Sequence, residues 1–274
     1  MSVPLLSIIT INYNDAQGLK KTMDSVLRQT YANFEYIVID GNSTDTSVAQ
    51  IKTYTDNRLH WISESDSGIY NAMNKGISKA TGEFLLFLNS GDFLISNSVL
   101  DTVIQKLNTS YSFISCNLLL DGEIRRKREH PNSLSFSYLV SSTLSHPSTF
   151  IKREMFVKYG MYNEKNKVIS DWEFFLKALG LNGESFQKIN ETLTVFDMNG
   201  ISSSNDNIKL IIAEKEAVFQ KYLAAIYTSE FDVFNFNNFK KPSKRIKLLM
   251  KIEKSPFIRK VTTVILMVLS KLVK

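Results

Sequence analysis

Asp92 closes the tetrapeptide Asn89-Ser90-Gly91-Asp92, which follows the apolar run Phe84-Leu-Leu-Phe-Leu88. A continuous apolar run of this length, preceded by Gly82, reads as a strand covered on both faces. In open α/β sheets the carboxyl edge of such a strand is where ligands bind. An acid there, after a glycine that admits close backbone approach, suits a metal bound to a nucleotide pyrophosphate. Upstream, Ile69, Ala72, Met73, Ile77 and Ala80 recur at helical spacing, so a helix with one apolar face leads into the strand. The stretch from Ser65 to Asp92 therefore reads as a cradle for a nucleotide-sugar.

The elements that must position this cradle alternate along the first half of the chain. Leu6–Asn12, Phe34–Asp40, Arg58–Ser63 and Glu83–Leu88 read as strands. Leu19, Met23, Val26 and Leu27 mark the core face of a first helix, and Ser43 or Thr44 can cap a second. Strands alternating with helices predict an α/β fold with a mostly parallel sheet and right-handed crossovers. Beyond Asp92 the pattern loosens. Ser98–Leu107 reads as a helix, and Tyr111–Leu120 as a strand entering a hairpin arm at Asp121-Gly122. Residues 130–145, with Pro131 and many serines, read as a loop or mobile segment. A short strand over Thr149–Ile151 and a helix over Ser170–Leu181 follow. Then come short strands at Ser185–Ile189 and Leu193–Phe196 and a long amphipathic helix over Asn207–Ala225.

Composition narrows the class. The chain has 274 residues, 43% hydrophobic and 22% charged, as folded proteins do. Its one cysteine, Cys116, reads as a buried strand thiol and permits neither an internal disulfide nor a multi-cysteine zinc site. His60, His130 and His146 have no zinc spacing. No basic segment precedes the first apolar run, so a cytosolic compartment is expected. Residues 240–274 hold 11 Lys or Arg against one acid, Glu253, so the formal charge of +6 belongs to this tail. The tail lacks the aromatic interleaving of a single-strand binder, which argues against nucleic acid. Its longest uncharged run, Val261–Ser270, spans 10 residues, short of the roughly 20 that cross a bilayer. Basic amphipathic helices lying on a membrane surface fit better.

Seven landmarks in order resemble the inverting family 2 glycosyltransferases, which have the GT-A (Rossmann-like) fold. They are TINYN (10–14), VIDGNSTD (38–45), SDSGIYNAMNKGISKATGE (65–83), LNSGD (88–92), SHPSTF (145–150), GMYNEKNKVISDWEFFLKA (160–178) and NGISSS (199–204). The resemblance covers about 200 residues, Leu6 to Ser204, and is nearest to bacterial enzymes that assemble O-antigen, lipopolysaccharide, capsule or other surface polysaccharide. It implies a GT-A domain over 1–205, with a nucleotide-binding half (1–95) and an acceptor half (96–205). A helix and linker (206–239) and the membrane-associating tail (240–274) follow.

The resemblance also implies roles. Tyr13 and Asn14 would meet the base and ribose, and Asp40 would accept a hydrogen bond from a uracil N–H, implying a UDP-sugar. Asp66, Gly68, Asn74 and Lys75 lie in the segment similar to the donor loop and its helix, with Lys75 toward phosphate and Asn74 a polar contact or brace. Met73 departs from the arginine many members carry. Asp92 would hold Mg²⁺ or Mn²⁺, although N-S-G-D keeps only the last acid of the usual motif. Asp171, in ISDWEF, would be the general base for the acceptor hydroxyl. His146, Trp172 and Glu173 are candidates for an acceptor or diphosphate pocket. No Q-x-x-R-W signature of processive synthases is present, which favours addition of one sugar, onto a polyprenyl-diphosphate-linked acceptor at the inner face of the cytoplasmic membrane. Two other readings compete. A sugar-1-phosphate nucleotidyltransferase needs a glycine-rich, arginine-containing loop where this chain has INYNDAQGLKK. A binding module without catalysis is the other.

Overall fold

The computed structural model describes residues 5–122, 124–198 and 207–227. Two compact units divide the chain, Met1–Lys215 and Glu216–Lys274. The expected basic tail at 240–274 and the NGISSS landmark lie outside the described residues, as does the linker beyond residue 227.

Four strands build the first half of the sheet: β1 (Leu6–Asn12), β2 (Phe34–Asp40), β3 (Leu59–Ser63) and β4 (Phe84–Phe87). They run parallel in the order β3-β2-β1-β4, and the register pairs Asn12 with Asp40 and Asp40 with Ser63. Every residue of β1 and β4 is buried, as expected of parallel strands covered on both faces. Helix α1 (Ala16–Leu27), capped by the Asp15 side chain accepting from the Gly18 N–H, buries Leu19, Met23 and Val26. Helix α2 (Ser47–Ile51) is short, and α3 (Ile69–Lys79) buries Ala72, Met73 and Ile77. Leu19, Met23 and Val26 pack with Leu6, Ile8, Phe84 and Leu86 in one apolar core.

The rest of the sheet is mixed. Strands β5 (Phe93–Leu94), β6 (Phe113–Asp121), β7 (Arg126–Arg128), β8 (Thr149–Lys152) and β9 (Phe186–Asp197) continue the order as β4-β8-β6-β9-β5, with β7 on β6. β8 runs antiparallel to both β4 and β6, whereas β6 and β9 are parallel. The expected parallel pattern therefore holds for the first four strands and gives way at β8. The two short strands expected near residues 185–196 are one strand, β9. Its pairing with β6 shifts register around Asn117, and this irregularity absorbs the polar Asn190-Glu191-Thr192 step that reads as a turn.

Helix α4 (Val99–Ile104) is shorter than expected. Residues 130–145 also differ from expectation, because they contain helix α5 (Phe136–Ser141). Ser135 accepts the Tyr138 N–H as its cap, and buried Leu139 anchors it. Helix α6 (Glu154–Tyr159) was not apparent from periodicity. Helix α7 (Ser170–Phe175) runs into a π-helical stretch, Leu176–Leu181, and α8 (Ile208–Tyr227) closes the described chain.

At the amino ends of the strands, away from the ligand edge, Glu35 ties three segments together. Its Oε1 accepts from Ser7 Oγ at 2.6 Å, Thr81 N at 2.6 Å and Gly82 N at 3.1 Å. Burial works to raise the Glu35 pKa, but these donors outweigh it and hold the group below the usual range. Removing the carboxylate takes the acceptor from the buried Ser7 hydroxyl and unties Thr81, so Glu35→Ala should lower unfolding free energy by about 1–3 kcal/mol. Urea denaturation checks this, and nucleotide affinity measured alongside should not change.

Candidate active site

The carboxyl ends of β1, β2 and β4 are joined through Asn12. Asn12 donates from Nδ2 to Asp40 Oδ1 (2.7 Å), and its Oδ1 accepts from Ser90 Oγ (2.8 Å). Asp40, with no exposure, also receives Ser43 N (2.9 Å), Ser43 Oγ (2.6 Å) and Ser63 Oγ (2.6 Å). Burial pushes its pKa up, yet these donors prevail and lower it. A carboxylate has about four lone-pair sites, and four donors from the protein already meet this one. What Asp40 does in this structure is fix the turn after β2.

Asn14 is a brace of the same kind. At φ 52°, it donates its N–H to Ser43 Oγ (2.8 Å) and accepts the Thr44 N–H on its side chain (2.8 Å). Tyr13 alone of this group faces outward, 67% exposed at the end of β1. A Cβ placed on Gly41 would lie 3.2 Å from the Tyr13 ring and 2.5 Å from Asp66 Oδ2. Tyr13, bare backbone at Gly41 and the Asp66 carboxylate therefore adjoin. The other oxygen of Asp66 accepts the Gly68 N–H at 3.0 Å.

The two remaining donor-segment candidates are engaged by the chain itself. Asn74 is buried, donates to Tyr162 O (2.9 Å) and Glu164 Oε1 (2.8 Å), and accepts the Tyr162 N–H (3.0 Å). It is the brace of the two alternatives. Lys75 donates to Ser65 O (2.7 Å) and pairs with Glu64 (2.9 Å), so its ammonium holds the donor segment instead of projecting free.

Asp92 sits 2% exposed, and Thr22 of α1 clasps its turn by donating to Asp92 O (2.6 Å) and accepting from Gly91 N (3.1 Å). Asp92 Oδ1 accepts the Asp197 N–H at 3.0 Å, while Oδ2 is shielded from solvent without a partner. Gly91 has φ 98°, and a Cβ there would meet Asp197 Oδ2 at 2.9 Å, so glycine is what lets the two acids approach. Burial pushes the Asp92 pKa up to about 7, the neighbouring Asp197 charge adds to the rise, and His146 and the Asp197 N–H work against it. Among the described residues no group of three or more His, Cys, Asp or Glu converges as a ready-made metal site. An orphaned, buried carboxylate oxygen beside a second acid nonetheless fits a divalent cation whose remaining ligands are phosphate and water.

Asp171 and Asp92 stand to either side of one imidazole. His146 opens a 3₁₀ turn, His146–Ser148, before β8. Its Nδ1 lies 3.1 Å from Asp171 Oδ2 and its Nε2 lies 3.3 Å from Asn89 Nδ2, while Asn89 O accepts the Asp92 N–H. Burial opposes the imidazolium, but the Asp171 hydrogen bond and the charges of Asp171 and Asp92 outweigh it and raise the His146 pKa. Burial likewise acts to raise Asp171, and the His146 bond and charge, the Trp172 N–H and Tyr70 bring it below the ordinary value. The Tyr70 hydroxyl is 3.0 Å from Asp171 Oδ1 and 2.7 Å from Val168 O. The Tyr162 ring packs edge to face on Phe87, Phe156 and Phe174 and tilted on Tyr70, which seats this loop on α3 and β4.

Trp172 and Glu173 are both buried. Trp172 is 2% exposed and donates from Nε1 to Leu139 O (2.6 Å). Glu173 is 4% exposed and accepts from Asn163 (3.0 Å) and Asn166 (2.7 Å). Both hold Asp171 by its flanks, since neighbours on a helix point away from one another. Sequence reasoning passed over Asn12, Thr22, Asn89 and Asp197. The first three occupy ordinary polar positions, and Asp197 reaches Asp92 only through the pairing of β5 with β9.

A sheet with parallel strands β3-β2-β1-β4, a bare acid-bearing turn after β4 and a second acid at a following helix defines a GT-A fold. Residues 7–168 match Glycosyl transferase family 2, and the chain belongs to that family as a glycosyltransferase. An uncharacterized glycosyltransferase of Mycobacterium tuberculosis is 33% identical over 212 residues, 75% of this chain and 79% of its own. A PGL/p-HBAD biosynthesis glycosyltransferase of Mycobacterium bovis is 31% identical over 184 residues, covering 65% and 71%. Among solved structures, S. aureus TarS with UDP-GlcNAc has a TM-score of 0.61 at 17% identity, covering 81% of this chain and 72% of that one. The mannosyltransferase PcManGT from Pyrobaculum calidifontis, with GDP-Man and Mn²⁺, has a TM-score of 0.61 at 17% identity, covering 96% and 84%. Among the described residues no helix is long and apolar enough to cross a membrane.

His130 holds the loop that delivers His146. It is buried, its Nδ1 lies 3.0 Å from Tyr138 Oη, and its Nε2 accepts the Ser145 N–H at 3.3 Å. Burial, with Arg128 and Lys188 nearby, lowers its pKa to about 3. The folded chain keeps this ring neutral, so its contribution is complete above the unfolded pKa near 6.5 and declines as pH falls from there toward 3. His130→Gln should flatten that acid-side decline in Tm, measured by thermal denaturation between pH 7 and 4.

Proposed function

We propose that the chain is a non-processive inverting transferase that moves one sugar from a nucleotide-sugar to an acceptor hydroxyl. The observation that carries this reading is the His146 bridge, with Asp171 bonded to one ring nitrogen and the Asn89-to-Asp92 turn on the other. One acid serves the acceptor and the other the diphosphate. Asp171, kept ionised by His146 and Tyr70, takes the proton of the acceptor hydroxyl as that oxygen attacks the anomeric carbon opposite the leaving group. A single displacement inverts the centre, so an α-linked donor gives a β-linked product.

Asp92, with Asp197 beside it, would hold Mg²⁺ or Mn²⁺. When bound, such an ion stabilises the charge on the departing diphosphate. Mn²⁺ accompanies GDP-Man in the Pyrobaculum mannosyltransferase structure. Tyr13, exposed at the end of β1, would stack on the base. A uracil N–H would find Asp66 beside it, because Asp40 is saturated by its own turn. UDP is therefore the favoured nucleotide, in keeping with TarS, whose structure holds UDP-GlcNAc.

For the acceptor we propose a polyprenyl-diphosphate-linked glycan in O-antigen, capsule or related surface polysaccharide synthesis. The relative named for PGL/p-HBAD biosynthesis and the basic, apolar sequence of residues 240–274 support work at a membrane surface on the cytoplasmic side.

Two variants separate the acids. Asp171→Asn should reduce transfer by at least about 10²-fold with UDP affinity retained, as measured by nucleotide release and calorimetry. Near-normal turnover would exclude Asp171 as the base. Asp92→Asn should remove the gain in UDP affinity that Mn²⁺ gives the wild-type chain. If Mn²⁺ strengthens UDP binding equally in both proteins, the ion is held elsewhere.

A further inference from the structure

We infer that Glu214 and Lys215, on the first turns of α8, are positioning residues for Asp171, the one by geometry and the other by charge. The inference rests on the assignment of Asp171 as base. Both residues lie beyond the family match, which ends at residue 168, and in the same compact unit as the sheet.

Glu214 is 9% exposed and spends both oxygens on consecutive backbone donors, Lys167 N at 2.6 Å and Val168 N at 3.2 Å. That grip holds the backbone of Val168 from its N–H side, and the carbonyl of the same residue, Val168 O, accepts the Tyr70 hydroxyl at 2.7 Å. The same hydroxyl stands 3.0 Å from Asp171 Oδ1. One phenolic proton is shared between two acceptors, so the position of Val168 O decides how much of it Asp171 receives. A carboxylate that accepts the proton fully is a weaker base, and one that loses it is a stronger but less oriented one. Glu214 thus acts on the base through residues 167–168 and Tyr70 without touching it.

Lys215 places its ammonium 4.5 Å from the Trp172 ring centroid, beside the residue that follows Asp171. It makes no hydrogen bond or ion pair among the described residues. Burial lowers its pKa and the field of Asp171 raises it in return. The groups facing Asp171 are then Tyr70 from α3, His146 from the 3₁₀ turn, Tyr162 from the preceding loop and Lys215 from α8. His146 favours the ionised form of Asp171, and the Lys215 ammonium, whose own pKa the Asp171 charge raises, acts in the same sense.

The test uses the full chain with Mn²⁺ and a panel of UDP-, GDP- and dTDP-hexoses, reading nucleotide release with water as acceptor and UDP affinity by calorimetry. Glu214→Gln keeps one acceptor oxygen but sets an NH₂ against a backbone N–H. Its kcat should fall on the order of 10-fold or more, with donor KM and UDP Kd within about twofold of wild type, since the defect is one of alignment. Lys215→Met keeps the packing on Trp172 and removes the charge. The acid limb of its kcat profile should move to higher pH, and Lys215→Arg should restore it. An active wild type with an equally active Glu214→Gln, or an unmoved acid limb in Lys215→Met, overturns the positioning role alone. A parallel loss of UDP affinity and turnover also overturns it, in favour of a purely structural role. A wild type that releases no nucleotide from any donor, yet binds UDP, removes the base assignment and the positioning role with it.

Discussion

The site depends on the ion pair between His146 and Asp171. Asp171 is shielded on a helix whose neighbours are Trp172 and Glu173, both buried, and a carboxylate in such a place cannot stay charged alone. The His146 imidazole, whose pKa this contact raises, stands 3.1 Å from it, and removing one partner of a buried pair strands the other at a cost of about 3–5 kcal/mol. The same ring reaches Asn89 on its other side. It therefore joins a loop ahead of β8 to the turn after β4, two segments that are far apart in sequence. Either orientation of the Asn89 amide suits it, because an imidazole can accept the NH₂ and an imidazolium can donate to the oxygen. The Asn89 oxygen, shielded and otherwise without a partner, is available for that second arrangement.

Around this pair, polar side chains do what packing does elsewhere. Parallel strands must end together at the ligand edge, and their last residues leave backbone and side-chain groups that demand partners. Asn12 answers for β1 by joining Ser90 to Asp40, and Asp40 answers for β2 by gathering Ser43 and Ser63. Thr22 does the same for the Gly91-Asp92 turn from the helix side. The consequence is a rigid rim from which Tyr13 faces outward, while the second oxygen of Asp92 has no hydrogen-bond partner among the described residues. Rigidity at the rim is what lets a few outward groups define a ligand.

How much of this was legible follows from what each element carries in its own residues. β1 and β2 begin and end where their apolar runs do, because nothing but local sequence sets those limits. Asp92 and Asp171 could be singled out because acids at a strand end and a helix start are chemically conspicuous. Asp40 was equally conspicuous, but its internal partners were not legible, since Ser43 lies in the turn after β2 and Ser63 at the end of β3, and only the fold brings both to it. Lys75, a lone helical lysine, is spoken for by Glu64 and Ser65 ahead of its helix. Helix α5 was hidden by serines that signal a loop and in fact supply its cap. β5 has two residues, too few for any periodicity, yet its pairing with β9 is what carries Asp197 to Asp92.

That last point explains why the second half of the sheet abandons the parallel pattern. A parallel strand placed directly beside β4 would need another crossover connection. Antiparallel β8 instead arrives from that edge, and the turn that introduces it is the one bearing His146. β9 then runs parallel to β6 and ends at Asp197, against the Asp92 turn. The change of strand direction is thus the means by which the later half of the chain brings His146 and a second acid to an edge that the first half built. The first four strands alone would hold the Asp92 turn and the outward tyrosine, but neither His146 nor Asp197.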